Sequence, residues 1–299
     1  MPLESQPKGL DVGIYFGLPE EIYHADPALS ASGIKNLLTG RPHKFWMHSP
    51  FNKLKKATAT KKEFMFGGAA HCLLFEEEFF SDRYYVLQRQ NRDADKIMLT
   101  TSDYDTMYKM VREVKKVRDS DILLGGGFAE VSVFWEDPIT GVMCKARHDY
   151  FKPAITADYK TINSIEDDAV LRSFRTLKYH IQAEHYKEGK DVIREYYKSN
   201  PDVMPFVDDS IYDPTTVVEF MELFKAEKKS EFAFLVQEKT DPYSAAIFEM
   251  DEPDLLDAHN SIRDAIRFFV ENLEAYGHET PWPASNDSIR RISLRYGIA

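Results

Sequence analysis

The chain has 299 residues, 43% of them hydrophobic, and a formal net charge of -11 at pH 7. That size suffices to bury a full core, as one α/β domain or a domain with an appendage, while the acidic balance opposes attraction to a polyanion unless basic residues cluster locally. No run of about eighteen apolar residues and no basic-then-apolar start occurs, so neither a membrane span nor a secretory leader is expected. Only Cys72 and Cys144 are present. They are too few for an iron–sulfur cluster, and their apolar surroundings point to buried thiols of a cytoplasmic protein rather than a disulfide.

Residues 1 to 28 show no period and are expected to be irregular. Ser30 or Ser32 then caps a helix through Ile34, Leu37 and Leu38 that Gly40 and Pro42 end. Lys53, Lys55, Lys56, Lys61 and Lys62, preceded by Arg41, His43 and Lys44, form a basic run that reads either as a solvated loop or as a phosphate contact. Phe66-Gly67-Gly68-Ala69-Ala70-His71 predicts a closely packed helix carrying His71, which taken alone reads as a core histidine. Tyr104, Met107, Met110, Val111 and Val114 give helical spacing over 102–118. Gly125-Gly126-Gly127 lacks the Gly-Lys-Ser/Thr of a phosphate loop and reads as a turn, so no nucleotide-driven motor is expected.

Residues 128–135 and 142–150, around Asp137-Pro138-Ile139-Thr140-Gly141, predict a hairpin. In its second strand Lys145, Arg147 and Asp149 alternate with Cys144 and Ala146, which places Asp149 on a polar face. A turn near Lys152-Pro153 leads to a strand over 154–161 that carries Asp158 and Lys160 on one side. Pairing of these two strands brings Asp149, Asp158 and Lys160 together. Glu130 opens the first strand, either as a further base or ligand or as an exposed strand-end carboxylate. Leu171, Phe174, Leu177 and Ile181 predict a helix over 171–188, with Lys178, Gln182 and Tyr186 spaced by four as one stripe. Residues 190–228 break the pattern and are expected as an insertion. Strands over 231–238 and 244–250, turning at Asp241-Pro242-Tyr243, and a helix over 255–276 complete a single domain spanning 1–299.

Two carboxylates and an imidazole can hold a hard divalent cation, and a lysine beside the second carboxylate can orient a water. That set, His71, Asp149, Asp158 and Lys160, is suited to metal-assisted phosphodiester hydrolysis. Asp-x-Lys alone is a short motif that occurs by chance.

The wider pattern is more specific. Tyr23-His24-Ala25-Asp26, Leu29-Ser30-Ala31-Ser32-Gly33-Ile34-Lys35 and Arg41-Pro42-His43-Lys44-Phe45-Trp46 resemble the opening of the RecE-like (exonuclease VIII group) exodeoxyribonucleases of phages and prophages. The resemblance continues in Gly68 to Glu76, Ala129 to Trp135, Lys145 to Asp149, Ala157 to Thr161, Tyr179 to Tyr186 and the Trp-Pro of Thr280-Pro281-Trp282-Pro283. That family is similar to the wider PD-(D/E)xK nucleases. The resemblance implies a restriction-endonuclease-like α/β fold, a central mixed sheet flanked by helices. It implies His71, Asp149 and Asp158 as the metal positions, for Mg²⁺ with Mn²⁺ as substitute, Lys160 as the catalytic lysine, and Gln182 and Tyr186 as a Gln-x-x-x-Tyr helix. Asp158 stands where many relatives carry Glu. Further implied are 5′-to-3′ digestion of one strand from double-stranded DNA ends, 3′ single-stranded tails for recombination, a ring-shaped homo-oligomer and a RecT-type annealing partner. The alternatives are an endonuclease or single-strand nuclease of the same fold, or an inactive DNA-binding protein.

Overall fold

The computed structural model describes residues 5–55, 62–87 and 95–284, and the paired strands Ile292–Ser293 and Gly297–Ile298. The chain opens with β1 (Gly13–Phe16), α1 (Glu20–Ala25), β2 (Leu29–Ser30), α2 (Ala31–Leu37), α3 (Pro42–His48), α4 (Lys62–Phe75) and α5 (Phe80–Arg83). A small parallel pair, β3 (Tyr84–Val86) with β4 (Ile97–Leu99), is followed by α6 (Thr101–Val114) and α7 (Ser120–Leu124). The central strands β5 (Phe128–Glu136), β6 (Met143–Phe151) and β7 (Ile155–Ile162) come next. The chain continues through α8 (Asp167–Leu177), α9 (Tyr179–Ser199), β8 (Phe206–Val207), α10 (Pro214–Ala226), β9 (Glu231–Glu238), β10 (Ala245–Glu249) and α11 (Glu252–Tyr276).

The main sheet runs β10-β9-β7-β6-β5-β1-β8, with β2 added against β6. The β5, β6 and β7 meander and the β9–β10 hairpin are antiparallel, whereas β7 pairs with β9, β1 with β8 and β2 with β6 in parallel. It is the mixed, helix-flanked sheet expected from the sequence. Val131, Val133, Trp135 and Ala146 meet α2, α9, α10 and α11 in the largest core, and Phe234 and Val236 meet α8 and the start of α9. Ala129, Tyr150, Ala157 and Tyr159 turn the other way, onto α4 and α6. Helix starts follow their capping residues: Ser30 accepts the Gly33 N–H, Thr100 that of Asp103, and Asp251 that of Asp254. Cys72 and Cys144 are free and buried. Among the described residues no helix is long and apolar enough to cross a membrane.

Several elements depart from the sequence expectation. Residues 1–28, expected to be irregular, hold β1 and α1, and β1 is an interior strand between β5 and β8. Its four residues are all buried, so no polar alternation marks it. The short helices α3 and α7 were also not expected. The helix expected over 171–188 is two helices, broken at Lys178, whose φ of 50° is left-handed. Lys178 is therefore the joint of the supposed Lys178, Gln182 and Tyr186 stripe. Residues 190–228 contain the second half of α9, β8 beside β1, and α10, whose Val217, Phe220, Met221 and Phe224 lie in the largest core. In the basic run, Lys56 and Lys61 and the side chain of Lys62 lie outside the described residues.

Gly189 sets how closely α9 crosses β5. A Cβ there would come within 2.5 Å of the Trp135 ring, itself buried. Ala in place of Gly gains about 1 kcal/mol of helix propensity, but overpacking a fixed ring costs about 1–3 kcal/mol. Gly189→Ala should therefore lower stability by up to about 2 kcal/mol and Gly189→Val by more. Denaturant unfolding checks this; a stabilised Val variant would show that the two elements are free to separate.

Candidate active site

The site begins as a fault in the sheet. Strand β6 pairs with β7 only at Tyr150–Ala157 and Phe151–Thr156, and with β2 only at Cys144 and Lys145. Between those contacts the edge of β6 is open, because β7 bends away to pair along its whole length with β9. Asp149 lies in this fork. Its Oδ2 accepts the Tyr159 N–H at 2.9 Å, replacing the ladder bond that the parting strands lose. Helix α9 supplies a further partner: His185 Nε2 lies 3.2 Å from the Lys145 carbonyl oxygen.

The partner strand is distorted at the same level. Register pairs Ala129 with Tyr150 and Val131 with His148, and the rung between them, Glu130 facing Asp149, is missing. Glu130 has φ 53°, a left-handed conformation that costs a side-chain-bearing residue about 1–2 kcal/mol. Facing also changes here. The His148 ring lies 4.9 Å from that of Tyr186 on α9, whereas the Tyr150 ring stacks at 5.4 Å on Phe75 of α4. Residues two apart on a regular strand share a face; these do not. The alternation read from the sequence holds up to His148 and fails at Asp149.

Into this opening α4 brings His71. Its Nδ1 is 3.3 Å from Glu130 Oε1 and its Nε2 is 3.4 Å from Asp149 Oδ2. Arg147 Nε donates to the other Glu130 oxygen at 2.5 Å and its Nη1 to Ser132 Oγ and the Leu18 carbonyl. On the α9 side of the fork, Asp158 is fully buried: Gln182 Nε2 donates to its Oδ1 at 2.7 Å, and its Oδ2 stands against the Lys160 ammonium. Tyr159, between them in sequence, points to the opposite face and donates to Gln237 Oε1 at 2.6 Å. All seven sequence candidates, His71, Glu130, Asp149, Asp158, Lys160, Gln182 and Tyr186, thus gather around the fork. Tyr186 serves as a packed wall, its ring against His148 and Phe232, rather than an open polar stripe. Alternation places Arg147 on the polar face with Asp149, but its role as the partner of Glu130 has no signal in the sequence. Beside the site lies a cleft of about 1270 Å³ lined by His71, Glu130, Arg147, Asp149, Gln182 and Tyr186, among others.

The charges are mutually dependent. Burial alone would discharge His71, but Asp149 and Glu130 outweigh it and push its pKa up to about 9. Burial likewise opposes ionisation of Asp149, and His71 reverses this, holding it down to about 2. Asp158 rises to about 6, through burial and then repulsion from Asp149, with Lys160 opposing both. Lys160 resists the discharging effect of burial because Asp158 and Asp149 hold its pKa above the ordinary lysine value. Glu130 is raised, chiefly by burial.

Whether a metal fits is a question of donors. Two aspartates, a glutamate and an imidazole are the oxygen-rich, single-nitrogen set that a hard divalent ion takes. His71 Nε2 and Asp158 Oδ2 are buried without a hydrogen-bond partner of good geometry. Yet among the described residues no three such side chains already converge at liganding distances. Each donor is engaged instead, His71 with both carboxylates of the missing rung and Asp158 with Lys160 and Gln182. The residues fit a metal in kind, and loading would require these pairs to open.

Residues 30–207 match the family described as "PDDEXK-like domain of unknown function (DUF3799)", and the chain belongs to that family, within the PD-(D/E)xK nuclease superfamily. The match ends with β8 and includes every residue of the fork. The chain is also similar in fold to the crystal structure of a "Putative exonuclease" from Eubacterium rectale, with a TM-score of 0.54 at 15% identity, over 93% of this chain and 97% of that one. No curated protein matches the sequence.

The His71 ion pairs have a signed consequence for pH. Its folded pKa lies above the ordinary 6.5, so its contribution to stability is complete below about 6.5 and is lost as pH rises through about 9. In chelator-treated protein, the His71 ring should titrate near 9 by NMR, and the fall in unfolding free energy over that window should vanish in His71→Ala. A His71 midpoint at or below about 6.5 would break the assignment.

Proposed function

We propose that this chain is a metal-dependent exodeoxyribonuclease of the RecE-like group that digests one strand of double-stranded DNA from its end, in the 5′-to-3′ direction. The observation that carries the hydrolytic reading is the fork itself. It brings Asp149, Asp158, His71 and a charged Lys160 together, with Asp149 and His71 lining the cleft and Asp158 buried behind them. Asp149, Asp158 and His71 would hold Mg²⁺, or Mn²⁺ in its place, and a bound ion supplies charge neutralisation at the phosphate and the departing oxygen.

The residues themselves divide the work. Lys160, held protonated by Asp158, cannot serve as a base; its ammonium instead donates hydrogen bonds, orienting a water and stabilising negative charge as it grows on the phosphate. Water attacks phosphorus in line, the bond to O3′ breaks, and the products are a 5′-phosphate and a 3′-hydroxyl. Gln182 fixes the Asp158 carboxylate, so the orientation of Lys160 is set from both sides. Arg147 and His71 hold Glu130 at the rim, where it adds a carboxylate to the ligand set. The direction of digestion, the ring-shaped homo-oligomer and a RecT-type annealing partner using the 3′ tails rest on the sequence resemblance along the chain.

Asp158→Asn keeps the buried shape and the Gln182 neighbour but removes the charge, and Lys160→Met removes the ammonium while retaining the stem. Each should reduce DNA hydrolysis on the order of 10²–10³-fold. The assay uses a linear duplex labelled separately at each 5′ and 3′ end, with Mg²⁺, beside a covalently closed circle. Release from the 5′ end with intact circles is expected. Rapid linearisation of circles would replace the exonuclease with an endonuclease, and undiminished cutting by both variants would remove the fork as the reacting centre.

A further inference from the structure

Five lysines and arginines of the described residues line the cleft: Lys35, Lys55, Arg83, Lys145 and Arg147. Four are already engaged. Arg83 forms a two-pronged pair with Glu76, and Arg147 binds Glu130. Lys145 donates to the carbonyls of Tyr23 and Asp26, and Lys55 to that of His48. Lys35 has no carboxylate or carbonyl partner among the described residues.

Its position makes this costly. Lys35 lies on α2, which starts directly from β2, the strand that borders the open edge of β6. The side chain is half-buried, and its ammonium stands 5.4 Å from the centroid of the Tyr179 ring. Lys160 stands 5.4 Å from the centroid of the same ring, so the two ammoniums are no further apart than twice that distance. A cation partly removed from water with no direct carboxylate partner, near a second cation, is unfavourable. Burial first and then repulsion from Lys160 lower the Lys35 pKa to about 8, outweighing the attraction of Asp158, with Lys178 adding a smaller repulsion. Tyr179 offsets part of this through its ring face. The remaining deficit is one that an anion in the cleft would cancel.

We propose that Lys35 is a substrate-phosphate contact, the positively charged wall against which a non-bridging oxygen of the DNA strand lies beside Lys160. It positions the strand and is not one of the reacting groups. The identity of the anion rests on the nuclease reading above; the unpaired cation does not. The rest of the cleft favours the same path, since Glu20, Glu21, Asp82 and Asp208 line it elsewhere and repel a phosphate chain.

The test uses the full chain in chelator, where binding is read without turnover. Affinity for an end-labelled duplex is measured by anisotropy over about 0.05–0.5 M salt for wild type, Lys35→Met and Lys35→Arg. Loss of one phosphate contact should make the slope of log K against log salt shallower by about 0.7–0.9, a five- to eightfold weakening at about 0.1 M. Lys35→Arg should retain the wild-type slope. Lys35→Met should melt no lower than wild type, because it relieves an unpaired cation; Lys35→Gln takes its place if it does not fold. Unchanged slope and affinity in a folded neutral variant overturn the proposal. Cleavage by wild type with Mg²⁺ separates the two ideas. A wild type that cuts while the slopes are equal sinks only Lys35. A wild type that binds DNA without cutting sinks hydrolysis while the slope still tests Lys35, and one that binds no DNA sinks both.

Discussion

A single carboxylate-to-backbone hydrogen bond, from the Tyr159 N–H to Asp149, organises this protein. Parting two neighbouring strands in the middle of a sheet exposes backbone donors and acceptors that must find partners. Asp149 satisfies one of them with a charged acceptor, the stronger kind of hydrogen bond. The fork is thereby kept open and the carboxylate is fixed in it. The other requirements follow: β9 must take up β7 along its whole length, β2 must end the open edge of β6, and α9 must bring His185, Tyr186 and Gln182 to the gap. What would be a defect in an ordinary sheet is here the place where both faces of the sheet communicate.

Electrostatics at the fork is a matter of neighbours rather than of net charge. The chain carries -11 overall, yet each buried acid near the gap has a cation assigned to it: His71 to Asp149, Arg147 to Glu130, Lys160 to Asp158. Such pairs gain little over apolar packing but are costly to break one partner at a time. The geometry is therefore over-determined, consistent with Glu130 being kept in a left-handed conformation that an isolated strand would abandon.

Much of this was legible in the sequence. Alternation in β6 and the apolar runs and turns around it located β5, β6, β7 and β9 to within a residue or two, and the spacing of Asp149, Asp158 and Lys160 on two successive strands pointed to their convergence. What escaped has physical causes. Strand β1 is buried on both sides and only four residues long, so it lacks a period. The break at Lys178 has neither Gly nor Pro to announce it; a lysine simply takes the left-handed joint that Gly usually fills. The loss of alternation at Asp149 is imposed by strands far away in sequence, as is the meeting of His71 with Glu130. Lys35 gave no local signal at all, because being unpaired is a property of its surroundings.

That the fork residues form one hydrolytic centre can be tested without following DNA. Mn²⁺ binding measured calorimetrically at about pH 8, in buffers of different ionisation enthalpy, counts the protons released when ligands exchange them for metal. Because His71 is protonated at that pH in the metal-free site, binding should release about one proton. Asp158→Asn should weaken binding at least tenfold. Tight binding that releases no proton and is indifferent to Asp158 would place the metal elsewhere and contradict the account.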